Sequence, residues 1–535
     1  MVIMKKGIFS VYFKNIIIPV LLFSFITGTL TGALVVGYKY VATKIISYSQ
    51  QIYSFLRNNL IYALLAIPFC IIITAVNRLF NKLTPDAKGG GIANAIAFLR
   101  GLVTFKWLRT LTGVIIGSLL TFLIGTPLGN EGPAVLSGSA IGCGVVETLG
   151  KKNKAWKRYI MTGGASAGFA VATNAPISGI MLALEEAHHR LSPMLLMVSG
   201  ATVSFAIIAS HIFSNLLGID PNLFNSLAPI VLEISDLYIP VVIGLIIGFF
   251  TVAFTKLIKF IRKKIVVSTT AFKKTLSILL IFLCTVIFGL ISQEFIGTGH
   301  HLIEHLLTDK SQPIYLLLLI LLVRFLLTSA STSAGITGGT FIPTLAFGAI
   351  ISATVAKLLI MLGVDESYYQ VIILLGMTAC ISGATKTPIT AMVFAFEALY
   401  LFTNVLSVAI VAIIAYIVSE IFCPKSVNDE IMEFRVEEEN ENKERQLVDT
   451  VLTVQENSFA VGKQIRDILW PNNFFVLSIK RSDTRPEIDE HGEKNMYPGD
   501  KLHVRYSTFN HKQTKEEITA ILGTQEFSEN EWKEE

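Results

Sequence analysis

Apolar residues come in long blocks over the first four-fifths of the chain, with short polar stretches between them. Residues 16–36, 61–76, 108–124, 239–254, 276–291, 314–328 and 405–421 approach or reach the ~20 apolar residues that a helix needs to cross a bilayer. Two further stretches, 194–212 and 369–380, are shorter or interrupted by Gly, Ser and Thr. Such breaks predict tilted or discontinuous helices whose ends lie at membrane depth. The pattern changes near Cys423. Residues 433–446 (EFRVEEENENKERQ) are polar and mostly acidic, which predicts a solvated linker. Beyond them, Val461, Ile465, Ile468 and Leu469 fall at helical spacing, and 474–480 has strand composition. A turn at 497–500 leads into the alternating Leu502-His503-Val504. The expected organisation is an all-α polytopic membrane domain over 1–432, a linker over 433–446, a small soluble α/β unit over 447–510, and a polar tail or loose helix over 511–535.

Composition agrees with this division. The 535 residues are 52% hydrophobic and 16% charged, with a mean hydropathy of +0.61, far too apolar for a soluble multidomain protein. The first apolar run follows Lys5, Lys6 and Lys14 without a small-residue cleavage site, and so reads as a retained helix. The net charge of +5 gathers in clusters at 151–158 and 256–264. These mark cytoplasmic loops under the positive-inside rule, so membrane topology explains the charge and no nucleic-acid polymer is expected as a partner. Cys70, Cys143, Cys284, Cys380 and Cys423 sit in apolar surroundings without metal-like spacing. The pairs His188-His189 and His300-His301, the latter with His305, lack an HExxH pattern. No metal, cofactor or enzymatic chemistry is expected.

The membrane part contains a repeat. The segment from Asn174-Ala175-Pro176 to Glu185 resembles the one from Lys386-Thr387-Pro388 to Glu397, with prolines 212 positions apart. Glu131-Gly132-Pro133 and Phe341-Ile342-Pro343 are offset by 210. Two separate pairs with nearly one offset argue for duplication of a whole unit. Carriers built this way bind substrate near the midplane, where the halves meet.

Three glycine-rich breaks stand before apolar stretches: Lys88-Gly89-Gly90-Gly91-Ile92, Gly129-Asn130-Glu131-Gly132-Pro133, and Gly338-Gly339-Thr340-Phe341-Ile342-Pro343. A helix that starts inside a membrane offers free N–H groups and the positive end of its dipole. Several converging starts can therefore hold an anion without a full cationic charge. Glu131 lies among these glycines, and an ionisable group at membrane depth is a functional candidate by default. Its carboxylate can occupy the site that the helix starts make, and protonation would free that site. Glu185 and Glu186 end another apolar run and could relay protons from the aqueous side, or could form a polar helix end facing water.

Taken together, these motifs resemble the CLC family of chloride channels and proton-coupled anion antiporters, over roughly residues 13–432. The resemblance implies two inverted helical repeats with broken helices and a homodimer with one pore per subunit, in a bacterial plasma membrane. It matches Glu131 to the outer gating glutamate and Glu186 to the inner proton-transfer glutamate. It also places anion-lining groups at Gly89, Gly90, Glu131, Gly132, Thr340, Phe341, Ile342 and Asn428. Three positions depart from the family pattern. Asn130 replaces an Arg, Gly90 replaces a coordinating Ser, and Asn428 stands where a Tyr is usual. The fluoride-selective branch shows Met where this chain has Gly90, which disfavours fluoride.

The unit from 451 to 506 is similar to the C-terminal lobe of RCK domains. That similarity implies a cytoplasmic regulatory module and a possible ligand, cyclic di-AMP, contacted by Arg466, Asn472, Asn473, Phe474, Lys480 and Arg481; a ligand-free dimerisation module is the alternative. The expected function is exchange of a small inorganic anion, chloride foremost, for protons. A passive voltage- or ligand-gated chloride channel is the alternative on the same fold. A potassium channel is disfavoured because Val35-Val36-Gly37-Tyr38-Lys39 lacks the final glycine of a carbonyl filter.

Overall fold

The computed structural model describes residues 16–89, 91–104, 106–150, 154–224, 227, 229–264, 270–441, 443–481 and 492–525. Its membrane part is helical throughout. The first series comprises α1 (Ile18–Asn58), α2 (Ala66–Leu83), α3 (Ile92–Leu99), α4 (Trp107–Ile124), α5 (Glu131–Leu149), α6 (Lys157–Thr173), α7 (Pro176–Leu182) and α8 (Pro193–Leu217). The second comprises α9 (Tyr238–Arg262), α10 (Ala271–Ile291), α11 (His300–Thr308), α12 (Ile314–Ser333), α13 (Phe341–Met361), α14 (Tyr369–Thr385), α15 (Pro388–Glu397) and α16 (Val405–Phe422). The two series correspond helix by helix, and α17 (Val427–Asn440) follows them. Eleven helical segments among the described residues are long and apolar enough to cross a membrane.

The correspondence extends to backbone detail. α6 ends on Asn174 at φ 53° and α14 ends on Lys386 at φ 63°, both left-handed. Each is followed two residues later by a proline at the first position of the next helix, where its missing N–H costs nothing. The central helices α5, α6, α13 and α14 are buried along most of their length. Small residues allow this: Gly138 packs on the Gly164 backbone in the first half, and Gly348 packs on that of Gly376 in the second. The outer helices instead carry exposed apolar side chains such as Leu22, Ile72, Phe249 and Leu322, as lipid-facing surfaces do.

The C-terminal unit is a three-stranded antiparallel sheet of order β1-β3-β2, formed by β1 (Gln446–Thr453), β2 (Phe474–Lys480) and β3 (Lys501–Thr508), with α18 (His511–Leu522) packed on it. Three expectations need correction here. The helix expected around Val461–Leu469 is an irregular segment with one 3₁₀ turn, Ile465–Asp467, because Gly462 at φ 77° interrupts the run and its carbonyl and N–H groups bond to residues 492–496 instead. The first part of the 433–446 linker continues α17 as helix to Asn440, since Val427, Ile431 and Met432 anchor it in the membrane core. Of the two readings of the segment after 510, helix or tail, the first twelve residues are helix, and it is packed and not loose: Ile518, Ile521 and Leu522 of α18 join Leu452, Leu502, Val504 and Tyr506 in the core of the unit.

The soluble unit is docked on the membrane domain by hydrogen bonds to its backbone. The Tyr159 hydroxyl donates to the Asp467 carbonyl at 2.7 Å and accepts from the Leu469 N–H at 2.9 Å. Arg158 donates to the Trp470 carbonyl at 2.6 Å, and Arg190 to that of Ile468 at 3.0 Å.

Candidate functional site

Three helix starts converge where the sequence has its glycine-rich breaks. Gly129 and Gly339 form a reciprocal antiparallel bridge, each N–H donating to the other carbonyl at 2.7 Å. Gly91, Gly132 and Gly339 meet at their Cα atoms. A Cβ on Gly132 would lie 2.8 Å from the Gly339 Cα and 2.9 Å from the Gly91 Cα, closer than any real side chain sits. Only residues without a side chain let α3, α5 and α13 begin at one point. Their amino-terminal dipole ends consequently face a common centre.

Glu131 is the first residue of α5 and is 1% exposed. Its carboxylate lies near its own N–H and the Ile342 N–H at the start of α13, while Oε2 has no hydrogen-bond partner among the described residues. An acceptor oxygen buried without a donor is costly, and protonation or displacement relieves the cost. Lys39 of α1 and His300 of α11 are the basic side chains whose charge bears on it most. Sequence reading missed both in this role. Lys39 is an ionisable residue within the long α1 span, so the argument that singled out Glu131 would have found it too. His300, weighed above only as a metal ligand, stacks on Phe224 at 5.0 Å between ring centroids. Among the described residues no cluster of three or more His, Cys, Asp or Glu side chains could hold a metal.

On the other side of the glycine contact, a small cavity is lined by Ile92, Thr340, Phe341, Thr344 and Asn428 among others. Thr340, Phe341 and Asn428 are thus brought together. The Phe341 ring meets Phe169 edge-on at 4.9 Å and Phe394 at 5.2 Å, which fixes the apolar wall. Asn428, in the first turn of α17, is placed by a capping box between Ser426 and Asp429. Its Nδ2 donates to Glu186 Oε1 at 2.6 Å. Gly89 contributes less than expected, because its N–H is already bonded to the Gly335 carbonyl at 3.0 Å. Gly90 lies outside the described residues.

Glu186 sits in a π-helical turn, Ala183–Ala187, that extends α7, and it is 2% exposed with Oε2 unpartnered among the described residues. The wider turn separates the roles of two adjacent carboxylates. Glu186 faces Asn428, whereas Glu185 reaches the start of α15, accepting from Ile389 N, Thr390 N and Thr390 Oγ1 at 3.1, 2.7 and 2.7 Å. Glu397 does the same for α7, accepting from Ile177 N, Ser178 N and Ser178 Oγ at 2.8, 2.8 and 2.7 Å. Arg100 holds the turn from outside, donating to the carbonyls of Glu186 and Ala187, each at 2.8 Å.

Residues 71–420 match the family model described as voltage gated chloride channel. The chain belongs to that family. It is similar to the H(+)/Cl(-) exchange transporter ClcA of Vibrio vulnificus (strain YJ016), 26% identical over 370 residues that cover 66% of this chain and 76% of the relative. The transporter of the same name from Citrobacter koseri is 27% identical over 408 residues, covering 71% and 81%. Among solved structures, a slow cyanobacterial Cl-/H+ antiporter shares the fold with a TM-score of 0.71 at 22% identity, covering 79% of this chain and 99% of that one. A CLC-type fluoride/proton antiporter gives a TM-score of 0.64 at 23% identity, covering 77% and 98%. These likenesses place the two inverted repeats with the family fold; the family model ends at residue 420, before the sheet-containing unit.

The six residues expected to hold a nucleotide are not gathered in one place. Asn472, Asn473 and Phe474 stand at the start of β2, and Lys480 and Arg481 at its end. Phe474 is sandwiched between Trp470 at 4.8 Å and Tyr506 at 5.7 Å, so its ring faces are occupied. Arg481 pairs with Asp500 at 3.4 Å, and Arg466 with Glu493 at 2.7 Å.

Proposed function

We propose that the protein is a secondary active transporter that exchanges a small inorganic anion, chloride foremost, for protons. The observation that carries this is the buried Glu131 carboxylate, poised at three converging helix starts with one oxygen unpartnered. Deprotonated, it fills the position an anion would take; protonated, it leaves the amides of α5 and α13 to the anion. Glu186 supplies the second proton station, joined to the anion cavity through Asn428. The printed names of the relatives, H(+)/Cl(-) exchange transporters, support the same reading.

Because Asn428 and backbone groups supply the inner site, with no side-chain hydroxyl from Gly90, selectivity among chloride and other small anions rests mainly on amide donors. The unit works as a homodimer in a bacterial plasma membrane with its C-terminal domain in the cytoplasm, on the side of the basic loops at Lys157, Arg158 and Arg190. That domain is an RCK-C-like module through which a ligand such as cyclic di-AMP regulates transport. The support is positional: the loop carrying Arg466, just before Asn472 and Asn473, bonds to Arg190, four residues beyond Glu186.

The test is reconstitution in liposomes with an anion gradient and pH recorded. Anion-driven uphill proton movement is expected. Anion flux without it would make the protein a passive channel of the same fold. Calorimetry of the full-length protein with cyclic di-AMP reads the regulatory part, and an absence of heat at micromolar ligand would remove it.

A further inference from the structure

A cavity of about 740 Å³ opens beside Lys88 and Gly335, next to the glycine contact. Eight Lys or Arg side chains line it against three carboxylates. The carboxylates are committed: Glu438 to Lys88 at 2.5 Å, and Asp86 and Glu439 to Arg435 at 3.2 and 3.3 Å. Lys82, Lys106 and Lys274 face the cavity without a carboxylate partner among the described residues. Arg262 lies deeper. It is 6% exposed, packs over the Phe434 ring at 4.5 Å, and its Nε has no hydrogen-bond partner among the described residues. The Nε of Arg435, 7% exposed, is likewise unpartnered.

We propose that this cavity binds a phosphate-bearing anion of several charges, and that its occupancy restrains the inner mouth of the ion path. A buried guanidinium with unpaired donors is unfavourable unless an anion supplies acceptors, and the planar fork of arginine suits phosphate oxygens. A single chloride neither balances the excess of cations nor fills a space within the size range of small-molecule sites. The link to the ion path is direct. The Lys88 side chain lies across Gly335, where an added Cβ would meet its Cε at 2.9 Å, and Gly89 bonds to the Gly335 carbonyl. These residues lead into Gly91 and Gly339, which meet Gly132 where the three helices start. A phosphate that draws Lys88 away from Glu438 therefore acts on the same loop. The binding stands by itself, whereas the restraint on flux rests on the transport reading above.

The phosphate has two possible sources, a free oligophosphate or a lipid headgroup, since Arg78, Lys82 and Lys274 stand at the ends of the spans α2 and α10. Purified full-length protein is tested with inorganic triphosphate at millimolar concentration, with sodium chloride at matched ionic strength as the reference. A higher thermal midpoint in triphosphate reads binding without requiring transport. In phosphatidylcholine liposomes the same addition slows anion flux, and the Lys82→Gln, Lys274→Gln double variant raises the half-inhibitory concentration by about tenfold. If triphosphate is inert but phosphatidylglycerol vesicles slow flux relative to phosphatidylcholine, and the double variant relieves this, the anion is a lipid headgroup. The proposal is overturned if neither triphosphate nor phosphatidylglycerol has an effect, if matched sodium chloride reproduces it, or if the double variant responds as the wild type does.

Discussion

The two halves of the membrane domain differ far less in backbone than in chemistry. Gly129 answers Gly339, Asn174 answers Lys386, and Glu185 and Glu397 each cap the other half's helix. Where the halves agree, the shared residue builds the scaffold. Where they disagree, only the first half holds a buried carboxylate: Glu131 stands opposite Phe341, and Glu186 opposite Ala398. The first half thus holds both carboxylates proposed as proton stations, and the second supplies an aromatic wall and a set of amides. On that proposal, a duplicated scaffold keeps its symmetry for packing while one copy takes the proton chemistry.

The largest effect should come from removing that asymmetry at the gate. In Glu131→Gln, proton movement coupled to the anion gradient should fall to background while anion flux persists, because the amide keeps the shape and loses the titratable group. Retained coupling would remove Glu131 from its assigned role. Next come the shared glycines. Gly132→Ala and Gly339→Ala should each cost at least the 1–3 kcal/mol typical of overpacking, since both Cβ atoms would strike backbone that cannot yield. Equal losses of thermal midpoint in detergent are expected from the two variants. A mild effect from only one would mean that the contact is looser on that side.

Much of this was legible in the chain itself. The offsets between Pro133 and Pro343 and between Pro176 and Pro388 announced the duplication, because proline at a helix start leaves a mark that drift in apolar positions does not erase. Glu131 was legible because a charge in an apolar block has few structural excuses. The pairing of Glu185 with the start of α15 was not, since its partners Ile389 and Thr390 are more than two hundred residues away and offer only backbone and a hydroxyl. The division of labour between Glu185 and Glu186 depends on a π turn, which no residue pattern signals. The irregular segment before β2 reads as helix in the chain because its apolar residues serve two outside partners: Ile465 and Ile468 face the sheet, and Leu469 packs on Trp156 and Tyr159 of the membrane domain.

The reciprocal caps give a sharper test of symmetry. Glu185→Gln and Glu397→Gln each remove a charge that three donors and a helix start stabilise. Each should lower stability by about 2 kcal/mol, given the worth of hydrogen bonds to charged groups and of a carboxylate at a helix N-terminus. The two sites share no partner, so the double variant should lose close to the sum. If Glu185→Gln abolished proton coupling at unchanged thermal midpoint, Glu185 would be a proton carrier and the match to Glu397 would be superficial.

The smallest effect concerns the left-handed residues that end α6 and α14. Asparagine visits this conformation readily, whereas a lysine pays roughly 1–2 kcal/mol for it. Lys386 is also buried with only a long ion pair to balance its charge. Its side chain is 8% exposed, its Nζ lacks a hydrogen-bond partner among the described residues, and Glu420 stands 3.9 Å away. Lys386→Gly should therefore raise the thermal midpoint by the equivalent of about 1 kcal/mol, and Asn174→Gly should leave it nearly unchanged. A drop for Lys386→Gly would show that its interaction with Glu420 outweighs the backbone strain. In that case even this pair, alike in φ, would have diverged in what it does for its half of the fold.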